Sequence, residues 1–125
     1  MGDKILIIDD DPQLTEVMKR ALQLEGYKIF TARNGKEGMR AFYENRPDLV
    51  ILDVMMPYLN GFEVCERIRE MADTPILMLT AKDSEDDILK AINLGATDYL
   101  SKLFDLDVLI RHAGILLQRG RDKKS

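Results

Sequence analysis

Three short apolar runs, each closed by a polar residue, constrain this chain more than any other feature. Ile5-Leu6-Ile7-Ile8 runs into Asp9, Leu49-Val50-Ile51-Leu52 into Asp53, and Ile76-Leu77-Met78-Leu79 into Thr80. Four consecutive apolar residues without alternation describe a strand covered on both faces, as in a parallel sheet. Two further segments are weaker. Tyr27-Lys28-Ile29-Phe30-Thr31 mixes polar and apolar residues, and Asp98-Tyr99-Leu100-Ser101 is short, so both suit sheet edges.

Helical patterns separate the runs. Asp11 is a good N-cap and Pro12 suits the first helical position; Leu14, Val17, Met18, Ala21 and Leu22 then fall on one face before Gly26. Asn34 caps a second helix through Met39, Ala41 and Phe42 that stops before Pro47. A third spans residues 61–71 with Phe62, Val64, Cys65 and Ile68, and Asn60-Gly61 reads as the tight loop before it. Ser84 caps a fourth through Ile88, Ala91 and Ile92, closed by Gly95. Asp105 caps a fifth through Leu109, Ile110, Ala113, Leu116 and Leu117. Met18, Met39 and Met78 read as core filler, and Cys65 as an inert helix residue. The sum is a (βα)5 α/β chain. Right-handed crossovers make it a doubly wound, five-stranded parallel sheet of flavodoxin-like type, with helices on both faces. The most apolar runs belong in the middle, which gives strand order 2-1-3-4-5. Such a sheet changes winding direction between strands 1 and 3, and ligands bind at the carboxyl ends there.

At 125 residues the chain fits one domain, expected over residues 1–119, with residues 120–125 a polar tail or the start of a linker. A net charge of −4 argues against a surface that grips nucleic acid directly. One cysteine and one histidine exclude an internal disulfide, a CxxC metal site and a histidine cluster. No apolar run reaches a membrane span and the first ten residues lack a signal-peptide layout, so a cytoplasmic location is expected.

The residues that follow the strands converge on one rim: Asp9 and Asp10 after the first, Asp53 after the third, Thr80 after the fourth, Ser101 and Lys102 after the fifth. Capping explains Asp11 but not Asp9, Asp10 or Asp53. Two carboxylates about 5 Å apart repel by roughly 3 kcal/mol at an effective dielectric of about 20. A cation or a shifted pKa relieves such a cluster, and one or two carboxylates with water and phosphate oxygens are the Mg²⁺ pattern. A carboxylate nucleophile beside Mg²⁺ and a lysine suits phosphoryl transfer. The P-loop and GxGxxG phosphate motifs are absent. A haloacid-type hydrolase would need a second aspartate where Met55 stands.

At these residues the chain resembles the response-regulator receiver domain, the CheY-like family of two-component signalling, over residues 4–119. The resemblance rests on Ile7-Ile8-Asp9-Asp10-Asp11, Leu52-Asp53-Val54-Met55-Met56-Pro57, Leu79-Thr80-Ala81, Gly95-Ala96-Thr97-Asp98-Tyr99 and Ser101-Lys102 taken together. It implies that Asp53 is the phosphoacceptor for a sensor histidine kinase, and that Asp10, Asp53 and the Met55 carbonyl hold Mg²⁺ with Asp9 acting mostly through water. It further implies that Lys102 pairs with the carboxylate and then the phosphoryl group, Thr80 bonds a phosphoryl oxygen, and Tyr99 is an aromatic switch. The implied protein is a signalling switch rather than a turnover enzyme. Met55 and Lys82 flank the implied site and are expected to tune water access.

Two departures from the family stand out. Leu103 follows Lys102 where the family usually has a proline with a cis peptide. A cis bond costs ~2.5–4 kcal/mol before a residue other than proline, so a trans Lys102–Leu103 bond is expected. The loop would then rearrange and seat Lys102 poorly, giving as the alternative function a phosphorylation-impaired interaction module. The second departure lies on helix 5. The chain otherwise looks closest to receivers of winged-helix, OmpR-like transcription factors, which dimerise through helix 4, strand 5 and helix 5 using ion pairs. Lys90 and Asp98 retain charge there, but Val108, His112, Gly114 and Ile115 occupy positions that often carry it. A weaker homodimer or a different partner is the expectation.

Overall fold

The computed structural model describes residues 2–56, 59–81 and 85–124. Strands β1 (Lys4–Ile8), β2 (Lys28–Ala32), β3 (Leu49–Asp53), β4 (Ile76–Thr80) and β5 (Asp98–Ser101) alternate with helices α1 (Pro12–Leu24), α2 (Gly35–Asn45), α3 (Gly61–Arg69), α4 (Glu85–Asn93) and α5 (Leu106–Lys124). The strands form one parallel sheet in the order β2-β1-β3-β4-β5. Each of the three apolar runs lies within one residue of its strand, and β3 and β4 are buried at every position. β2 and β5 are partly open, as edges are.

Period-2 alternation splits the core in two. Leu6, Ile8, Val50, Leu52, Ile76 and Met78 face one side with Met39, Phe42, Val64, Cys65 and Ile68. Ile5, Ile7, Leu49, Ile51, Leu77 and Leu79 face the other with Met18, Leu22, Leu109, Ala113, Leu116 and Leu117. Met18, Met39 and Met78 are therefore core filler as expected. Cys65 is also buried, and burial pushes its thiol pKa up.

Local chemistry sets the helix starts. The Asp11 carboxylate accepts from the Gln13 and Leu14 amides ahead of Pro12, and Asn34 accepts from Glu37 N–H. Asn60 and Glu63 form a reciprocal capping box at α3. The Asp105 carbonyl accepts the first α5 amides, from Val108 and Leu109. The expected Ser84 cap lies outside the described residues, as do Pro57 and Lys82.

Three details differ from expectation. α3 ends at Arg69 rather than Met71, where the Met71 amide takes the tighter i−3 bond to the Ile68 carbonyl. Ile92 is 52% exposed; α4 lies against the β5 edge and buries only Ala91 among its described residues. α5 continues through the polar segment after Arg119 to Lys124. Arg121 pairs there with Asp3, and Gly120 passes close over the Pro75 ring.

Candidate functional site

Parallel strands in register bring their carboxyl ends to one rim, so the residue after each apolar run lands beside the others. Asp9 follows β1, Asp53 and Thr80 are the last residues of β3 and β4, and Lys102 follows β5. Asp9, Asp53 and Thr80 are buried, whereas Asp10 faces solvent. One oxygen from each of Asp9, Asp10 and Asp53 lies within 4.8 Å of the others.

Each buried carboxylate has one oxygen fixed by backbone. Asp9 Oδ1 accepts from the Asp11 amide at 2.9 Å, and Asp53 Oδ1 accepts from the Met55 amide at 3.2 Å. The other oxygens face Lys102, whose Nζ is 3.0 Å from Asp53 Oδ2 and 3.4 Å from Asp9 Oδ2. The ammonium meets them as a nearby charge, and neither Oδ2 receives a well-directed hydrogen bond. Thr80 Oγ1 is likewise buried without a partner. Gly61 brings α3 against this end of β3: its amide donates to the Val54 carbonyl at 3.0 Å, and a Cβ there would collide with the Asp53 carbonyl.

The electrostatics follow from crowding. Burial and then the neighbouring Asp9 charge push Asp53 up to about 7, against the pull of Lys102 and the Met55 amide. Burial also raises Asp9, opposed by the Asp11 amide and Lys102. Burial alone would lower Lys102, but the two carboxylates together hold its pKa above the ordinary value. Two carboxylates facing one ammonium, with undirected oxygens and a third carboxylate at the open side, fit a hard divalent cation.

The expected site residues thus divide cleanly. Asp9, Asp10, Asp53, Thr80 and Lys102 share the rim. The Met55 amide touches Asp53, and its side chain is exposed. Tyr99 stands apart on the outer edge strand, half-exposed, with its amide on Asp98 Oδ1 at 2.8 Å. The expectation that Leu103 seats Lys102 poorly is overturned. No cis peptide occurs among the described residues, so Lys102–Leu103 is trans as expected, yet the ammonium reaches both carboxylates. The loop holds because the Lys102 amide donates to the Thr80 carbonyl at 2.7 Å and the Leu103 amide to Ser101 Oγ at 3.2 Å.

A family model described as response regulator receiver domain matches residues 5–113. The chain belongs to the response-regulator receiver family. This receiver is 44% identical over 120 residues to response regulator MprA of Mycobacterium sp. strain KMS; the match covers 95% of this chain and 52% of that protein. The receiver spans about half the length of the curated relatives it matches. Among solved structures, a two-component response regulator from Clostridium difficile superposes with TM-score 0.91 at 32% identity, over 94% of this chain and 98% of that one. The receiver domain of Francisella response regulator 1452 gives 0.89 at 33% identity, over 94% and 98%. The chain is thus a signalling module, the receiver domain of a two-component response regulator. Among its described residues no helix is long and apolar enough to cross a membrane.

Two contacts around α4, β5 and α5 were not foreseen from sequence. Lys90 of α4 lies over the Phe62 ring, 4.5 Å from its centroid. His112 Nδ1 of α5 lies 2.8 Å from Asp98 Oδ2 of β5. Both charges that the OmpR-like resemblance would place at a dimer interface are engaged within the subunit. The capping box at Asn60 was missed as well, although the Asn60–Glu63 spacing carries its signal.

Proposed function

We propose that Asp53 accepts a phosphoryl group from the phosphohistidine of a sensor histidine kinase. The observation that carries this reading is the pairing of the Asp53 and Asp9 Oδ2 atoms, both buried and undirected, around the Lys102 ammonium. A carboxylate oxygen of Asp53 attacks phosphorus. The P–N bond breaks and its electron pair stays on the imidazole nitrogen. The Lys102 ammonium offsets charge on the incoming phosphoryl oxygens, and the unpartnered Thr80 hydroxyl donates to one of them. Mg²⁺, when bound, neutralises the carboxylates and the phosphoryl oxygens. Asp10, Asp53 and the Met55 carbonyl would hold it, with Asp9 through water.

In this reading the phosphoryl group draws Thr80 in and leaves room for Tyr99 to turn inward. One local charge change thereby biases the face formed by α4, β5 and α5. The same face serves homodimerisation in an OmpR-like regulator of the cytoplasm, without direct nucleic-acid contact by this domain. Exposed Leu89, Ile92 and Ile115 there, with Lys90 and Asp98 engaged internally, favour a weaker homodimer than one built on ion pairs. Incubation with a small acyl phosphate and Mg²⁺, read by intact mass, tests the central step. One phosphoryl addition, lost in Asp53→Asn, is expected. No addition to the wild type would refute it.

A further inference from the structure

Lys102 is placed from its root. A lysine carries a compact charge on a flexible four-carbon stem, and here no well-directed hydrogen bond to either facing carboxylate oxygen pins the head. The ion pairs at 3.0 and 3.4 Å attract the head without fixing its direction, so its position depends also on the backbone turn that carries it. Three bonds close that turn. The Lys102 amide donates to the Thr80 carbonyl, the Phe104 amide to the Ser101 carbonyl at 3.1 Å, and the Leu103 amide to Ser101 Oγ at 3.2 Å. The first two use only backbone and are open to any residue except proline at the donor positions. The third needs a hydroxyl at residue 101 and an amide proton at residue 103, and this chain supplies both. Leu103 itself is 89% exposed, so its side chain anchors nothing within the domain. Phe104 is packed on the core beyond it. The turn is thus fixed at the Thr80 end and at Phe104, with the Ser101 hydroxyl bridging the part between.

We propose that the Ser101 hydroxyl is a positioning group for phosphoryl transfer, holding the Lys102 turn so that the ammonium sits over Asp53 and Asp9. The proposal rests on the phosphoacceptor reading above, but its structural half can be measured without any phosphoryl group. Ser101→Ala removes one neutral hydrogen bond at an open turn where water can take over the Leu103 amide, so the fold survives. Phosphorylation by a small acyl phosphate with Mg²⁺ should slow by about three- to tenfold, the worth of one such bond. Ser101→Thr, which keeps the hydroxyl, should restore the rate. In a Lys102→Ala background, Ser101→Ala should add no further slowing, because the hydroxyl acts only through that lysine. Amide exchange at Leu103 and the proton contact between the Lys102 ε-methylene and the Asp53 β-methylene, both read by NMR, complete the test. In Ser101→Ala the exchange should speed up and the contact weaken, and both should return to wild-type values in Ser101→Thr. Unchanged exchange and an unchanged contact in Ser101→Ala would overturn the proposal, as would equal slowing with and without Lys102. If the wild type takes up no phosphoryl group, the phosphoacceptor reading fails alone and the two NMR measurements still decide whether Ser101 places Lys102.

Discussion

The acidic rim should be a source of instability that one substitution relieves. Asp53 titrates near 4 when unfolded and at about 7 in the fold, where burial and Asp9 oppose its charge. A carboxyl with a raised folded pKa binds more protons folded than unfolded across that interval. Stability is then highest below the unfolded value and falls as pH rises through the window, reaching its full loss above 7. The displacement corresponds to on the order of 4 kcal/mol at alkaline pH, and less than half of that near pH 5. Asp53→Asn removes the charge but also forfeits the contact with Lys102 at 3.0 Å, which returns part of the cost. The net expectation, without metal, is a gain of about 1–3 kcal/mol near pH 8, or roughly 5–10 °C in melting temperature for a domain of this size. Thermal or urea melts of wild type and variant in chelator, near pH 5 and pH 8, measure it. The gain should shrink at the lower pH and again with Mg²⁺, which satisfies the wild-type carboxylate. A variant that is no more stable than wild type near pH 8, or equally stabilised at both pH values, would refute the electrostatic reasoning.

Other outcomes follow from the same structure. Saturating Mg²⁺ should raise the wild-type melting temperature by linkage, about 2.7 kcal/mol at a hundredfold excess over Kd, and Asp10→Ala should abolish most of the rise in a calorimetric scan. Gly114→Ala should stabilise by about 1 kcal/mol in urea denaturation. Gly114 lies inside α5, and an added Cβ meets only the Tyr27 hydroxyl at 3.9 Å. Asn60→Ala removes the α3 capping box and should cost about 1 kcal/mol by the same assay. Gly61→Ala should be far more damaging, because the new methyl overlaps the Asp53 carbonyl, and loss of Mg²⁺-induced stabilisation would register the distorted β3 end.

How much was legible in advance depended on whether the physics was local. The strands were readable because burial on both faces demands unbroken apolar runs, and parallel register then carries whatever follows each run to a common rim. That logic placed Asp9, Asp53 and Thr80 correctly, and cap chemistry placed the starts of α1 and α2. It did not extend to Ile92, because a helical apolar face does not say how much sheet the helix will cover; α4 sits at the β5 edge and leaves Ile92 in solvent. Nor did it extend to Arg69, whose guanidinium joins α3 to the Gly95 carbonyl and the Thr97 hydroxyl. The polar segment after Arg119 read as a tail or the start of a linker; it continues α5, and Arg121 pairs there with Asp3 at the other end of the chain.

The sequence alone determined the layer order, the strand pairing and the acidic composition of the rim, since each follows from a pattern repeated over neighbouring residues. Tertiary structure alone decided the seat of Lys102, the internal pairing of Asp98 with His112, and the resting of Lys90 on Phe62. Those contacts join side chains from elements that only folding brings together, and no local periodicity encodes the distance between them.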